Sequence, residues 1–252
     1  MKILEIDIET APHSAYIWSC FTKYISPDHI EVPGYTLCFA ARWKGDNKVM
    51  FHSIWTDGFE GMLDAAWQLL NEADAVIHYN GKKFDVKILN GEFLVQEWTP
   101  PAPYAQIDLL PVVRRNFRFP SNKLDYVCKR LGLGAKVHHR GMELWTEVME
   151  GDKKSCKEMM EYNIQDVHLL TPLYERLLPW ITEHPNYGMF SDSDRPVCTN
   201  CGSENLHKEG TRATKTQLYQ RYQCQDCGTW LQDRMTCLDP AKRRNILKQI
   251  PT

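Results

Sequence analysis

Three short stretches hold acidic side chains at spacings that let them act together. In Asp7-Ile8-Glu9 the carboxylates are two residues apart, and on a strand positions i and i+2 project from one face. A pair of acids facing inward at the end of a hydrophobic strand is costly unless a cation neutralises it. Asp85 follows His78-Tyr79-Asn80-Gly81-Lys82-Lys83-Phe84, where an apolar run ends in an Asn-Gly turn and a helix begins. Tyr162-Asn-Ile-Gln-Asp166 sets a phenol and a carboxylate four residues apart, one above the other on a helix. Each stretch also has a plainer reading. Glu5, Asp7 and Glu9 fit an exposed alternating face, Asp85 suits the positive end of a helix, and Tyr162 and Asp166 suit an amphipathic surface. A different chemistry is written near the C-terminus. Cys198-Thr-Asn-Cys201-Gly and Cys224-Gln-Asp-Cys227-Gly are two C-x-x-C-G pairs, each able to fill two corners of a tetrahedral zinc site.

Such groups need elements to aim them. Ile3, Leu4, Ile6 and Ile8 interleave with charged residues, which predicts a strand over 2–8. Residues 35–43 and 48–55 are two further β-rich runs, joined by Lys-Gly-Asp-Asn, so the first three strands are expected to form an antiparallel meander. Phe59, Met62, Leu63, Ala66, Leu69 and Leu70 recur at helical spacing over 58–72. Residues 75–79 predict a strand, 84–93 a helix, and Ile107 opens a strand-to-helix element. A helix over 124–131 stops at Gly132, and a long one over 157–178 is expected to be interrupted at Pro172. Strands followed by alternating helices and strands make an α/β fold, a mixed sheet flanked by helices.

The 252 residues are 43% apolar and 25% charged, enough for one substantial domain and a small one. No apolar run approaches the roughly 18 residues of a membrane span, so no membrane is expected as a partner. The start, MKILEIDIET, carries acids inside its short apolar run and does not suit a signal peptide, which leaves a cytoplasmic location as the expectation. Residues 1–194 carry 20 Lys+Arg against 27 Asp+Glu, whereas 195–252 carry 10 against 5. An acidic body with a basic tail fits a metal-using domain joined to an anion-binding module. Residues 184–196 are polar and rich in turn formers and read as a linker, giving domains over 1–183 and 197–252. Cys20, Cys38, Cys128 and Cys156 stand singly and are expected to be small buried or half-buried residues.

In order and spacing the three acidic stretches resemble the Exo I, Exo II and Exo III motifs of the DnaQ-like exonucleases, in the ribonuclease H-like superfamily. The tyrosine of the third motif points to the branch called DEDDy. Ile107-Asp108-Leu109-Leu110, Phe119-Pro-Ser-Asn-Lys-Leu-Asp-Tyr-Val127 and Leu131-Gly-Leu-Gly are similar to the connecting region of proofreading domains and their stand-alone relatives. The resemblance spans roughly residues 1–180 and implies a ribonuclease H-like fold with two catalytic Mg²⁺ or Mn²⁺ ions. Four converging acids repel one another in a partly dry site. Two divalent cations roughly 4 Å apart relieve that repulsion and clamp an in-line phosphoryl displacement, and hard oxygen ligands favour Mg²⁺ or Mn²⁺ over zinc. By the same resemblance Asp7 bridges both ions, Glu9 and Asp85 complete the shells, and Asp166 holds the ion bearing the attacking water. Tyr162 positions or helps to deprotonate that water, and nucleoside 5′-monophosphates leave from the 3′ end.

Residues 11–33 depart from a tight hairpin and carry Tyr16, Trp18, Phe21 and Tyr24, which either stack bases or pack onto the domain. The tail resembles zinc ribbons of nucleic-acid-associated proteins. There one structural Zn²⁺ sits on Cys198, Cys201, Cys224 and Cys227, while Cys237 and His207 stand by. Lys208, Arg212, Lys215 and Arg221 interleave with Tyr219, Tyr222 and Trp230, cations for phosphates and aromatics for bases, so nucleic-acid binding is expected ahead of the alternative, protein docking. Asn80, in the turn before Asp85, is a further candidate contact to nucleic acid. The leading expectation is an exonuclease on single-stranded or frayed 3′ DNA ends in replication, repair or genome processing, with DNA ahead of RNA. The chain shows no polymerase domain, so a polymerase or other replication protein is the expected partner for proofreading in trans. The alternatives are a 3′-to-5′ RNA exonuclease of ribonuclease D type and a non-catalytic zinc-ribbon protein that binds DNA.

Overall fold

The strand that carries Asp7 and Glu9, β1 (Ile3–Thr10), lies at the centre of a five-stranded sheet in the computed structural model, which describes residues 1–250. The chain then forms a two-residue strand β2 (Ser14–Ala15), β3 (Ile30–Val32), β4 (Thr36–Trp43), β5 (Met50–Ser53), β6 (Ala75–His78) and β7 (Ala105–Asp108). The order is β5-β4-β1-β6-β7. β4 and β5 run antiparallel, as the meander requires, and β6 and β7 run parallel to β1.

Alternation along β1 divides the sheet into two faces. Leu4, Ile6 and Ile8, with Phe39 and Ala41 of β4, bury against α1 (Gly58–Glu72) and α2 (Asp85–Val95), which contribute Met62, Leu63, Leu70, Leu89 and Phe93. The sequence continues through α3 (Leu109–Asn116) and α4 (Leu124–Leu131), which ends at Gly132 in the left-handed conformation (φ 69°) as expected. Beyond it, α5 (Met142–Met149) and α6 (Lys153–Leu177) place Leu144, Val148, Cys156, Met159 and Tyr162 in a second core with Ala11, Leu37 and Cys38. The face holding Glu5, Asp7 and Glu9 is thus not open to solvent in the way plain alternation suggests. Glu5 is fully buried, and Arg42 of β4 and Thr171 of α6 bond it.

Two expectations are corrected. α6 begins at Lys153 and runs through Pro172 without stopping, because Leu169, Leu170, Leu173, Tyr174 and Leu177 bury on both sides of the proline. Packing outweighs one lost backbone bond there. Cys20 is exposed, since residues 16–25 project from the sheet, whereas Cys38, Cys128 and Cys156 are buried.

Lys2–Tyr174 forms one compact unit and the chain from Glu175 onward a second. The second is an antiparallel sheet of β8 (Leu206–Ala213), β9 (Leu218–Cys224) and β10 (Trp230–Thr236), ordered β10-β9-β8, followed by the short α7 (Pro240–Arg244). Ahead of it, the Tyr187 amide donates to the Thr199 carbonyl at 2.8 Å, and Asn200 Nδ2 bonds the carbonyls of Leu178 and Ile181. Among the described residues no helix is long and apolar enough to cross a membrane.

Candidate active site

Asp7 and Glu9 face α6 from β1, and Asp166 faces them from α6. The three bring carboxylate oxygens within 4.8 Å of one another. Asp85 arrives from the other side of β1. Pairing between β1 and β6 ends at Glu5–Ile77, so the Ile8 amide is left without a strand partner, and it donates to Asp85 Oδ1 at 3.1 Å. The first residue of α2 is thereby fixed beside Asp7, whose charge its own opposes.

The electrostatics follow from this crowding. Burial first, then the charges of Asp85, Asp166 and Glu9, holds the Asp7 carboxyl well above its ordinary range. Glu9 is pushed up to about 8, by burial and then by Asp166. Asp85 rises to about 6, burial outweighing the backbone amides that bond it. Burial also raises Asp166, against the pull of Lys136. Glu5, two residues before Asp7 on the same face, has its cation in Arg42 at 2.8 Å; its neighbours have no such partner on their own sheet. Among the described residues Asp166 Oδ1 is buried and makes no hydrogen bond, while Lys136 holds the other oxygen of that carboxylate. An orphaned carboxylate oxygen beside two more acids is a donor set that fits hard divalent cations such as Mg²⁺ or Mn²⁺.

Sequence reasoning missed three residues that organise the site. Asn163, fully buried beside Tyr162, donates from Nδ2 to Asp7 Oδ2 at 2.9 Å and to the Asp7 carbonyl at 3.1 Å. Lys136 bonds the Tyr162 phenol oxygen at 3.0 Å and also reaches Asp166. Asp108 accepts from the Asn80 amide at 2.8 Å and the Leu110 amide at 3.1 Å, capping α3 while holding Asn80 at φ 73°. Gly81 follows because a Cβ there would lie 2.5 Å from the His78 ring. The only sequence signal for Asn163 was its place between Tyr162 and Asp166, and for Lys136 its place in a loop after the Gly-Leu-Gly run.

Tyr162 is buried, its ring meeting His139 edge-on at 5.0 Å and Trp145 at 6.3 Å. Burial and the charge of Asp166 push its phenol up to about 12, Lys136 partly offsetting them. Tyr162, Lys136, Asp7 and Asn80 line one cleft of about 580 Å³, together with Tyr79, Arg114 and Lys123. That volume suits a small ligand of about nucleotide size.

A family model for the RNase H superfamily matches residues 33–178, more than half of the chain. The chain belongs to the RNase H superfamily. The match begins after β1, so the placement of Asp7 and Glu9 in this member rests on β1 pairing between β4 and β6. No curated protein sequence matches the chain. Among solved structures, the family B DNA polymerase from the hyperthermophilic archaeon Pyrobaculum calidifontis superposes with a TM-score of 0.55 at 17% identity. The likeness covers 71% of this chain and 24% of the polymerase, so the chain spans about a quarter of that protein's length, and it bears on the fold.

In the second unit the four cysteine sulfurs of Cys198, Cys201, Cys224 and Cys227 also lie within 4.8 Å of one another. Cys198–Cys227 and Cys201–Cys224 are each 3.6 Å apart. Metal–sulfur bonds of about 2.3 Å in a tetrahedron give edges of roughly 3.8 Å, so the cluster fits one such ion. Gly202 (φ 78°) and Gly228 (φ 80°) turn the chain behind each pair and return their amides to the carbonyls of Cys198 and Cys224 at 2.9 Å.

The register of that sheet sorts the candidate contact residues. Cross-strand partners share a face, and Arg221 pairs with Gln232, Gln223 with Trp230, and Arg212 with Tyr219. Arg212, Arg221 and Trp230 therefore share one face, where Arg212 bonds Gln232 at 3.0 Å and the Arg221 guanidinium lies 4.6 Å from the Trp230 ring centre. Lys208 and Tyr222 are paired on the other face, and Lys215 sits in the exposed turn between β8 and β9. Tyr16, Trp18, Phe21 and Tyr24 are all exposed, so residues 11–33 do not pack their aromatics onto the sheet.

Proposed function

We propose that the protein is a 3′-to-5′ exonuclease of the DEDDy branch of DnaQ-like enzymes, acting on single-stranded or frayed ends. The observation that carries this reading is the gathering of carboxylate oxygens of Asp7, Glu9 and Asp166 within 4.8 Å of one another. Asp85 stands beside Asp7 and a buried tyrosine borders the same cleft. With two Mg²⁺ or Mn²⁺ ions bound there, the site would supply an activated water and neutralise charge on the phosphoryl group. The chain's own residues then have distinct tasks. Asn163 fixes the rotamer of Asp7, and the Ile8 amide fixes Asp85. Tyr162 borders the cleft with its phenol oxygen held by Lys136 at 3.0 Å, placed to orient the attacking water or help to deprotonate it. Lys136 holds that phenol oxygen and offsets the charge of Asp166.

In this reading residues 1–183 are the catalytic domain, 184–196 the linker, and 197–252 a zinc ribbon whose structural Zn²⁺ is held by the four cysteines. The ribbon grips the substrate strand through Arg212, Arg221 and Trp230. Likeness to a DNA polymerase favours DNA as the substrate, with a replication protein as partner in trans. The test uses DNA and RNA oligonucleotides labelled at either end, with Mg²⁺, Mn²⁺ or no divalent ion, on the protein and on Asp166→Ala. Metal-dependent laddering from the 3′ end that Asp166→Ala abolishes is expected, on DNA more than RNA. Intact oligonucleotides under every metal condition would remove the enzyme reading and leave a nucleic-acid-binding protein.

A further inference from the structure

Residues 2–174 are acidic on balance, with 19 Lys+Arg against 23 Asp+Glu, yet residues 114–123 hold four cations and no acid. This segment links the end of α3 to the start of α4, and both of its ends open on the carboxylate cleft. Arg114 and Lys123 line the same 580 Å³ space as Asp7 and Tyr162. Arg118 lies between them, on a connection braced by the half-buried rings of Phe117 and Phe119, whose centres are 5.8 Å apart.

The fold does not account for these charges. Among the described residues Arg114, Arg118 and Lys123 form no ion pair. Arg114 suits the negative end of α3, but that effect is small at an exposed site. Lys123 occupies the N-cap of α4, where the positive end of a helix disfavours a cation. Arg118 belongs to neither helix. An anion outside the protein explains all three, and a cleft that holds about one nucleotide forces the rest of a strand to leave across its rim.

We infer that residues 114–123 are the track on which the phosphodiester backbone of an unpaired nucleic-acid strand lies as its end enters the carboxylate cleft. This rests on the nuclease reading of that cleft. The unit as a whole is acidic, and along this segment each phosphate neutralised would release a counterion. The sugar is not selected by such contacts, so DNA and RNA share the track.

The experiment measures binding of a fluorescent single strand of about twelve nucleotides, a length within the usual range of single-strand sites, over a series of NaCl concentrations. The full zinc-loaded chain carries Asp166→Asn throughout to prevent cleavage. Adding Arg114→Ala and Arg118→Ala together is expected to weaken binding several-fold. The slope of log K against log salt should fall by about 0.7 for each phosphate contact removed. Lys153→Ala with Lys154→Ala changes net charge equally at the start of α6 and should leave the slope in place. Arg114→Lys with Arg118→Lys should retain most of the binding, and melting curves of each variant report folding. A slope unchanged by the arginine pair, or changed equally by the lysine pair, overturns the track. Loss of slope in a protein that degrades no oligonucleotide would sink the nuclease reading and leave the track standing. Degradation with an unaltered slope would do the reverse.

Discussion

Lys136 sets its ammonium 3.0 Å from the phenol oxygen of Tyr162, and the same ammonium reaches Asp166 one helical turn further along α6. One cation from a loop thus fixes the two α6 groups whose i, i+4 spacing first suggested a site. It also lies 5.0 Å from the centre of the Tyr162 ring, so it meets both the ring and the hydroxyl of that side chain.

Replacing Lys136 with Met is expected to lower kcat for mononucleotide release while changing KM little. A hydrogen bond to a charged group is worth about 1.5–3 kcal/mol, which corresponds to a roughly ten- to hundred-fold loss of rate. Lys136→Arg should recover part of it. Steady-state kinetics on a 3′-labelled strand decide the matter: an unaltered kcat in Lys136→Met would show the contact to be incidental.

Glu5 and Glu9 share a strand and a face but differ in what meets them. Glu5 is matched by Arg42 at 2.8 Å and by the Thr171 hydroxyl, whereas Glu9 faces Asp7 and Asp166. Glu5→Ala leaves the Arg42 guanidinium buried and uncompensated, at a cost of about 3–5 kcal/mol, with kcat per folded molecule largely retained. Glu9→Gln removes a repelling charge, so it should raise the melting temperature of the divalent-free protein while abolishing metal-dependent cleavage. Calorimetry beside a cleavage assay reads both. Equal effects of the two substitutions on stability would contradict the assignment.

The raised carboxyls also set a direction for stability against pH. A carboxyl whose folded pKa exceeds its unfolded value binds more protons when folded, so its contribution is present at low pH and is lost as pH rises through the folded value. For Asp85 that loss is complete as pH passes about 6, and for Glu9 as it passes about 8. A tenfold difference in proton affinity between the folded and unfolded chain is worth about 1.4 kcal/mol, and 1 kcal/mol moves the melting temperature of a chain this size by about 2–4 °C. The zinc-loaded protein without Mg²⁺ should therefore melt several degrees lower at pH 8 than at pH 5. Millimolar Mg²⁺ or Mn²⁺ should restore more stability at pH 8 than at pH 5. A melting temperature that rises from pH 5 to pH 8 without divalent ions would contradict the crowding described for these acids.

The central strand, the meander and most helices were legible because their apolar periods are long and their ends carry turn residues. The fate of the Glu5-Asp7-Glu9 face was not, since alternation gives the same pattern whether water or α6 lies above it. What resolves it is α6, more than 140 residues away in sequence, and no local signal carries that pairing. Lys136 escaped for a related reason: a lysine in a polar loop is ordinary until the fold brings Asp166 beneath it. Pro172 misled because a lost backbone bond is local, whereas the apolar stripe that outweighs it is a tertiary fact. The cysteine pairs were the clearest sequence signal, their two C-x-x-C-G turns recurring with the same left-handed glycine.

That second sheet offers a prediction in which position on a face, rather than charge, decides the outcome. Along β10, exposed Trp230, Gln232 and Arg234 alternate with half-buried Leu231 and Asp233. Arg221 from β9 lies over Trp230, and Arg212 from β8 joins through Gln232, so the phosphate and base contacts proposed above fall on one face. Lys208 and Tyr222 are paired on the other face of the sheet. Base stacking on an aromatic ring is worth about 1–3 kcal/mol, so Trp230→Ala should weaken single-strand binding by roughly five- to hundred-fold. Arg221→Ala should also flatten its salt dependence, while Lys208→Ala should do neither, although it removes the same charge. Anisotropy titrations on the full zinc-loaded chain, with Trp230 fluorescence as an independent reporter of stacking, measure each change. Equal losses from Arg221→Ala and Lys208→Ala would mean that the strand responds to the charge of the unit and not to this face.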